Sequence, residues 1–245
     1  MATSVKNILV GAADLFISNG SGSSRPSTSS ASLNTLFGGA TGDGAREKLS
    51  ASNDWREVGY TNNGLNISYE PNYGEVMVDQ LLDAARLFKQ SLRVVLSTEL
   101  TEGTLENLQL SWGQMDLNYK ANGDTLNAIE ATTPVTDEQG ATLNMAAGAL
   151  GDAPTERTLA AVGNAPYQQG RSYETDGSSV TDNTSNLRKK ERLYIARRVV
   201  SIDTTAHALK RDSATVFPVT FRCLPDDGYE GAEYGVVIDR VYGTV

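Results

Sequence analysis

The chain has 245 residues, a hydrophobic fraction of 39%, a mean hydropathy of −0.33 and a net charge of −9 from 30 acidic and 21 basic side chains. That length can bury a substantial single core, while the low apolar fraction leaves room for long solvated or subunit-contacting loops. The acidic balance argues against gripping a phosphate backbone, which needs Lys and Arg to displace counterions. A single cysteine and a single histidine exclude internal disulfides, Cys-rich metal sites and most His-based mechanisms.

Met1–Val10 has one Lys and no long apolar run, so no signal peptide is expected. No stretch reaches the roughly 20 apolar residues of a membrane helix. The expectation is therefore a soluble product made in a cytoplasm, with no membrane partner.

Asn7–Ser18 carries β-branched and aromatic residues around Gly11 and reads as the first strand. Asn19–Ser32 is rich in Ser and Gly and cannot bury enough apolar surface to offset its chain entropy, so it reads as a flexible loop or arm. Leu33–Phe37 is an apolar island, and Gly38–Asp54 returns to polar loop. A connection this long inside a compact domain points to docking on another subunit.

Trp55–Thr61, Gly64–Glu70 and Glu75–Asp79 read as extended segments. Leu65, Ile67 and Tyr69 alternate with polar residues, and Pro71-Asn72-Tyr73-Gly74 is assigned as the turn of a hairpin closed by Val76 and Val78. Leu81–Lys89 is a short additional helix candidate, with Leu81, Ala84, Ala85 and Phe88 on one face. Leu92–Leu96 reads as strand.

A firmer helix starts at Thr101 as N-cap, with Glu102 in its first turn and Gly113 as C′ residue. Its buried stripe is assigned to Leu105, Leu108 and Trp112. Ala121–Leu187 is polar, with short strands at Thr142–Ala146 and Thr158–Val162 and a second long loop over Asn164–Asn186. Strand pattern returns in Arg192–Ile202. In Thr215–Leu224, Phe217, Val219, Phe221 and Cys223 share one face, and Pro218 marks an edge or a strand end. Tyr234–Tyr242 supplies the last strand.

Several segments invite a chemical reading. His207 lies in a polar connection with no nucleophile elbow anywhere, and reads as a surface or turn histidine. Gly38–Lys48 superficially resembles a phosphate loop, but Gly44 is followed by Ala45 and Arg46 where Lys and Ser/Thr are needed. Asp226–Glu230 lacks the alternating oxygen ligands of a calcium loop and fits an ordinary turn. Arg188, Lys189, Lys190, Arg192, Arg197 and Arg198 have only Tyr194 interleaved, a thin basis for nucleic-acid binding. They read as pairing with acidic surface on a neighbouring copy, or as a solvated strand face. Cys223 reads as a small buried hydrophobe. No catalytic, cofactor-binding or metal-binding residue is assigned, and no cofactor is expected.

Three stretches, taken in order, resemble the major tail tube proteins of long-tailed, sheathless bacteriophages. They are Lys6–Ser18, then Trp55–Val78 with Leu96–Leu108, then Arg192–Ser201 leading into Thr215–Asp226. The resemblance spans nearly the whole chain and lies in the order of the segments, none of which is a rigid motif.

It implies a mainly β fold, a β-sandwich or half-barrel with one flanking α-helix and long loops, in a single domain over residues 1–245. Residues 19–54 and 164–190 would be the arms for subunit contacts. The protein would assemble into hexameric rings, with inner strands joined in a closed barrel, and the rings would stack into a tube. Partners would be further copies of itself, a tape-measure protein and a tail terminator. DNA would pass through an acidic lumen without specific binding, and the site of action would be the virion tail, assembled in a host bacterial cytoplasm. Some members carry an extra immunoglobulin-like domain at the carboxyl end, and none is expected here.

Alternatives of the same broad fold are a tail terminator and a secretion-type tube ring protein, whose assembly would survive loss of Asn19–Ser32. From other classes come a carbohydrate-binding β-sandwich, which the 7% aromatic content disfavours, and a small hydrolase, which needs a nucleophile–base set.

Overall fold

The computed structural model describes residues 11–20, 25–37, 45–51, 54–81, 83–113, 117–119, 141–143, 145, 149–165, 189–202, 206–209, 211–212 and 214–242. The chain is mainly β, as the sequence reading expected, with three helices among the described residues where one flanking helix was expected. One antiparallel sheet contains β1 (Asp14–Ser18), β2 (Trp55–Glu57), β3 (Thr61–Val76), β4 (Arg86–Leu100), β7 (Arg157–Asn164), β8 (Lys189–Ser201), β9 (Phe217–Leu224) and β10 (Gly235–Tyr242). Its strands run in the order β2-β1-β7-β8-β9-β4-β3, and β10 pairs with β8. A separate small pair joins β5 (Leu117–Tyr119) to β6 (Ala141–Leu143).

Alternation in the central strands buries both faces. Leu15, Ile17, Leu159 and Ala161 enter one core, which Leu96 and Leu100 of β4 and Phe217, Val219, Phe221 and Cys223 of β9 complete. Strands from both ends of the order meet in this core, so the sheet curls over it. Phe16, Ala160, Val162, Leu193 and Ile195 point the other way, into a second core with Leu33, Ala45, Leu49 and Trp55.

Leu33, Ala45 and Leu49 come from α1 (Ser30–Phe37) and α2 (Ala45–Ala51), where the sequence suggested an apolar island and polar loop. Their few apolar residues gave too short a pattern to read, yet Leu49 and Ala45 are fully buried. The segment before α1 is likewise docked on the chain's own body. Arg25 Nη1 donates to the Arg197 carbonyl at 2.6 Å, and Thr28 is buried. The described residues of the supposed first arm are therefore part of the globule.

The firmer helix, α3 (Leu105–Trp112), is present with a shifted start. Thr104, in extended backbone, is the N-cap: its hydroxyl accepts from Asn107 N, and Gly113 ends the helix at φ 65°. The buried positions are Asn107, Gln109, Leu110 and Ser111 in place of a Leu105/Leu108/Trp112 stripe. Asn107 explains the shift. Its Nδ2 donates to the carbonyls of Val58 and Glu102 at 2.9 and 3.1 Å, while its Oδ1 accepts from Arg56 at 2.8 Å. Satisfying one buried amide this fully fixes the helix against β2.

The expected first strand is found only as β1, residues 14–18, and Asn7–Val10 lies outside the described residues. β6 covers Ala141–Leu143 of the strand read at Thr142–Ala146, and β7 extends the one read at Thr158–Val162. The rest of Ala121–Leu187 falls largely outside the described residues, including the long loop beyond Ala165; residues 189 and 190, placed in that arm, belong to β8. Pro218 sits at the second position of β9 and pairs only with Glu99 of β4, since β8 joins β9 from Phe221 onward. The missing N–H thus falls at a strand end.

β8 has one edge shared by two partners. β10 occupies it through Ala196, opposite Gly235, and β9 takes over from Arg198, opposite Leu224. Arg197 is the residue between. It is 5% exposed, and its guanidinium donates to the Thr28 carbonyl and hydroxyl at 2.6 Å and to the Ala232 carbonyl at 2.9 Å, with Tyr229 stacked 3.6 Å away. Replacing Arg197 with Ala strands the Thr28 and Ala232 acceptors. The substitution is expected to lower stability by roughly 3 kcal/mol, measured by urea unfolding, with Arg197→Lys intermediate because it keeps the charge and loses the fork geometry.

Candidate assembly surface

β3 and β4 are the longest strands, 16 and 15 residues, and pair from Thr61↔Leu100 to Val76↔Arg86. At about 3.3 Å per residue the ribbon is on the order of 50 Å long. Only its base lies on the core. β9 borders β4 from Val95 to Leu100, so Arg86–Val94 has no strand on that side among the described residues, and β3 has none along its whole outer edge.

Two sequence expectations are corrected here. Pro71–Gly74 is not a turn but the middle of β3, and the chain reverses between Met77 and Ala85. Leu81–Lys89 is not a helix; its last four residues open β4. The turn-forming composition of Pro71-Asn72-Tyr73-Gly74 masked a period of two that runs unbroken through Leu65, Ile67, Tyr69, Pro71 and Tyr73. That alternation was the usable signal.

Local chemistry holds the ribbon's shape. Asn63 and Gly64, at φ 60° and 68°, form an irregularity between Asn62 and Asn66. The Thr98 hydroxyl donates to the Gly64 carbonyl at 2.8 Å, and Glu99 Oε2 accepts from the amides of Asn62 and Asn63 at 2.8 and 3.0 Å. Just before the ribbon, Gly59 at φ 79° lets its backbone lie against Glu102, whose Oε1 accepts from Tyr60 N at 3.0 Å. Farther out, the Phe88 ring and the Gln90 amide lie over Gly74, within 3 Å of where a Cβ would stand.

Register makes the ribbon two-faced. Ile67 and Tyr69 lie opposite Leu96 and Val94 on the core side, whereas Ser68 and Glu70 lie opposite Val95 and Arg93 on the other. Extended over β9 and along the ribbon, the polar side carries Glu70, Glu99, Arg86, Arg93 and Arg222 among Asn and Ser residues, two negative and three positive charges.

Beyond the core both sides are uncovered. Tyr69 is 63% exposed and Leu87 60%, with Tyr73 exposed on the same side; Val76 and Phe88 are exposed on the other side, and Met77, Val78 and Leu81 at the reversal. A groove of about 500 Å³ runs beside the bare edge of β4, between Lys89–Leu92 and the Gly231–Gly235 turn, with Tyr69 and Tyr234 in its walls. A two-stranded ribbon is marginally stable in water, and contiguous exposed apolar residues mark a contact surface.

The basic cluster is engaged within the chain. Arg192 forms a fork with Asp239 at 2.5 and 2.7 Å, Arg197 is buried at the β8 fork, and Arg198 binds both oxygens of Glu156 at 3.0 and 2.5 Å. The expected pairing with a neighbouring copy, or a solvated face, does not describe these three. The side chains of Arg188, Lys189 and Lys190 lie outside the described residues.

His207 is not a bare surface residue: its ring lies 4.8 Å from Phe217 and 6.2 Å from Trp112, clamping its loop to the end of α3. Asp226 Oδ1 accepts from Gly228 N within a turn. Of the phosphate-loop-like stretch, Gly38–Gly44 lies outside the described residues, and Ala45–Lys48 begins α2, where Ala45 N donates to Glu191 at 3.1 Å. A carboxylate thus occupies the place a phosphate would take. Cys223 is buried at 3% exposure, and burial pushes its thiol pKa up to about 12.

The fork at Arg198 holds the Glu156 carboxyl below the usual carboxylate range, with Arg25, 3.6 Å away, adding to it. Arg192 does the same for Asp239. Carboxyls depressed in this way contribute their full stability above the ordinary range, about pH 4, and lose it as pH falls through the folded values. Thermal unfolding followed from pH 7 to pH 3 is expected to show a falling midpoint for the native chain. Glu156→Gln should start lower at pH 7 and fall less.

No helix among the described residues is long and apolar enough to cross a membrane. Compared with known proteins, the chain matches no family model and no curated sequence.

Proposed function

We propose that this chain is a structural subunit that assembles with copies of itself through the β3–β4 ribbon, as the tail tube protein of a long-tailed, sheathless bacteriophage. The observation that carries the reading is the ribbon itself. A pair of long strands projects from a well-packed body with bare edges and an exposed apolar tip, an arrangement that costs stability and solubility in an isolated molecule. Neighbouring ribbons in a closed ring would complete each other's edges and cover those side chains.

In this reading assembly moves away from the segment over residues 19–54, whose described part is docked on its own chain, and onto the ribbon. The polar side of β3, β4 and β9 is the surface such a tube would turn toward its bore. With two carboxylates against three guanidiniums, that surface lacks the negative excess that the net charge of the whole chain suggested for the lumen. The tape-measure protein and tail terminator remain the expected partners, and the virion tail the expected location.

Purified protein examined by negative-stain electron microscopy and light scattering over rising concentration is expected to form hexameric rings or tubes. Leu87→Asp combined with Phe88→Asp, both at exposed positions, should leave the monomer folded and abolish those assemblies. A monomer at every concentration, together with lysates of producing cells that contain no tubes, would overturn the reading.

A further inference from the structure

The chain contains three Asn-Gly pairs, of which Asn122–Gly123 lies outside the described residues. An Asn followed by Gly is open to attack on itself, because the Gly nitrogen can reach the Asn side-chain carbon with no Cβ in the way. The reaction makes one geometric demand. The peptide between the two residues must turn until that nitrogen faces the side chain.

The two described pairs differ in this respect, although both asparagines are exposed. The Asn19 N–H donates to the Asp54 carbonyl at 3.0 Å. Its carbonyl, part of the peptide that must turn, accepts from Arg157 at 3.4 Å, and the Gly20 carbonyl accepts from the Ser18 hydroxyl at 2.7 Å. Asn63 and Gly64 instead lie where the matched pairs jump from Asn62↔Glu99 to Asn66↔Ser97. The Thr98 hydroxyl on the Gly64 carbonyl fixes the peptide after Gly64, not the one before it. A Cβ at Gly64 would meet no atom within 4 Å, so the turn has room. Asn63 also starts from φ 60°, in the left-handed region that a side chain occupies only at a cost.

We propose that Asn63 is a modification site: in the folded chain it converts to aspartate and isoaspartate through a succinimide formed with Gly64. The Gly64 nitrogen bonds to the Asn63 side-chain carbon, the bond from that carbon to the amide nitrogen breaks, and the proton lost by Gly64 leaves with it as ammonia. Water then opens the ring at either carbonyl, giving aspartate or a main chain one methylene longer. The irregularity already holds residues outside the matched register, so the added length falls where the ladder is interrupted.

The product changes the root of the ribbon. The Asn63 amide donates to Glu99 Oε2 at 3.0 Å, and Glu99 lies between Asn62 of β3 and Pro218 of β9. Conversion replaces that donor with a carboxylate facing a carboxylate, so a bond becomes a repulsion where the ribbon leaves the body. Assembly plays no part in this chemistry.

The test incubates the full chain at mildly alkaline pH, with a second portion in urea, and sequences both digests by mass spectrometry. In the folded sample the peptide carrying Asn63 should gain the mass of an amide exchanged for a carboxyl, split between two isomers, while Asn19 lags behind. In urea the two should convert at similar rates. The thermal midpoint of the folded sample should drift down as Asn63 converts, toward that of Asn63→Asp. Asn63→Gln, whose longer side chain has to close a larger and slower ring, should show no conversion at that position and lose the drift. Conversion of Asn19 ahead of Asn63 in the folded chain, or of Asn63 in urea alone, would overturn the site. A native midpoint for Asn63→Asp, with no drift as Asn63 converts, would overturn the part given to Glu99.

Discussion

A strand edge has a single row of donors and acceptors, and β8 divides one of its rows between two partners. β10 uses it up to Ala196 and β9 uses it from Arg198. Two strands cannot occupy one row side by side, so β9 diverges and carries β4 and β3 with it. The curl of the sheet, the groove at the fork and the projecting ribbon all follow from that division. Arg197 sits at the branch point and closes it chemically, joining the segment before α1, the strand and the Tyr229–Ala232 turn through one buried guanidinium. A buried cation requires such complete satisfaction, which in turn fixes the three segments relative to one another.

Around this branch Arg25, Arg192 and Arg198 act on the same body. Glu156 receives Arg198 from β8 and Arg25 from the segment ahead of α1. Arg192 and Asp239 clasp β8 to β10. Charge that would suggest an outward-facing basic patch is engaged in internal closure at Arg192, Arg197 and Arg198.

The parts of this fold that were legible in the sequence are those in which one residue pattern met one environment. Phe217, Val219, Phe221 and Cys223 alternate into a single core and read correctly, as did β7, β8 and β10. Gly113 marked the end of α3 because only a left-handed residue fits there. The misreadings came where composition and context disagreed. Pro71-Asn72-Tyr73-Gly74 has the chemistry of a turn, yet cross-strand pairing with β4 overrides it and keeps the chain extended. Leu81–Lys89 has helical propensity but lies at the reversal of the ribbon. α1 and α2 were missed because a few buried residues, Leu33, Ala45 and Leu49, suffice to hold short helices against an existing sheet. The stripe of α3 was misplaced because a buried amide, Asn107, outranked the leucines. That no strand among the described residues borders the ribbon's outer edges depends on which strands become neighbours, and no local pattern encodes that.

The burial of Cys223 has a practical chemical meaning. It is the chain's one cysteine, buried in the core with β9, and burial pushes its thiol pKa up, so little thiolate forms near neutral pH. Alkylating and maleimide reagents, which attack through the thiolate, find almost no target in the folded molecule. A fluorophore or spin probe attached through a cysteine introduced anywhere on the surface would therefore report from that position alone, with the native sulfur left in place.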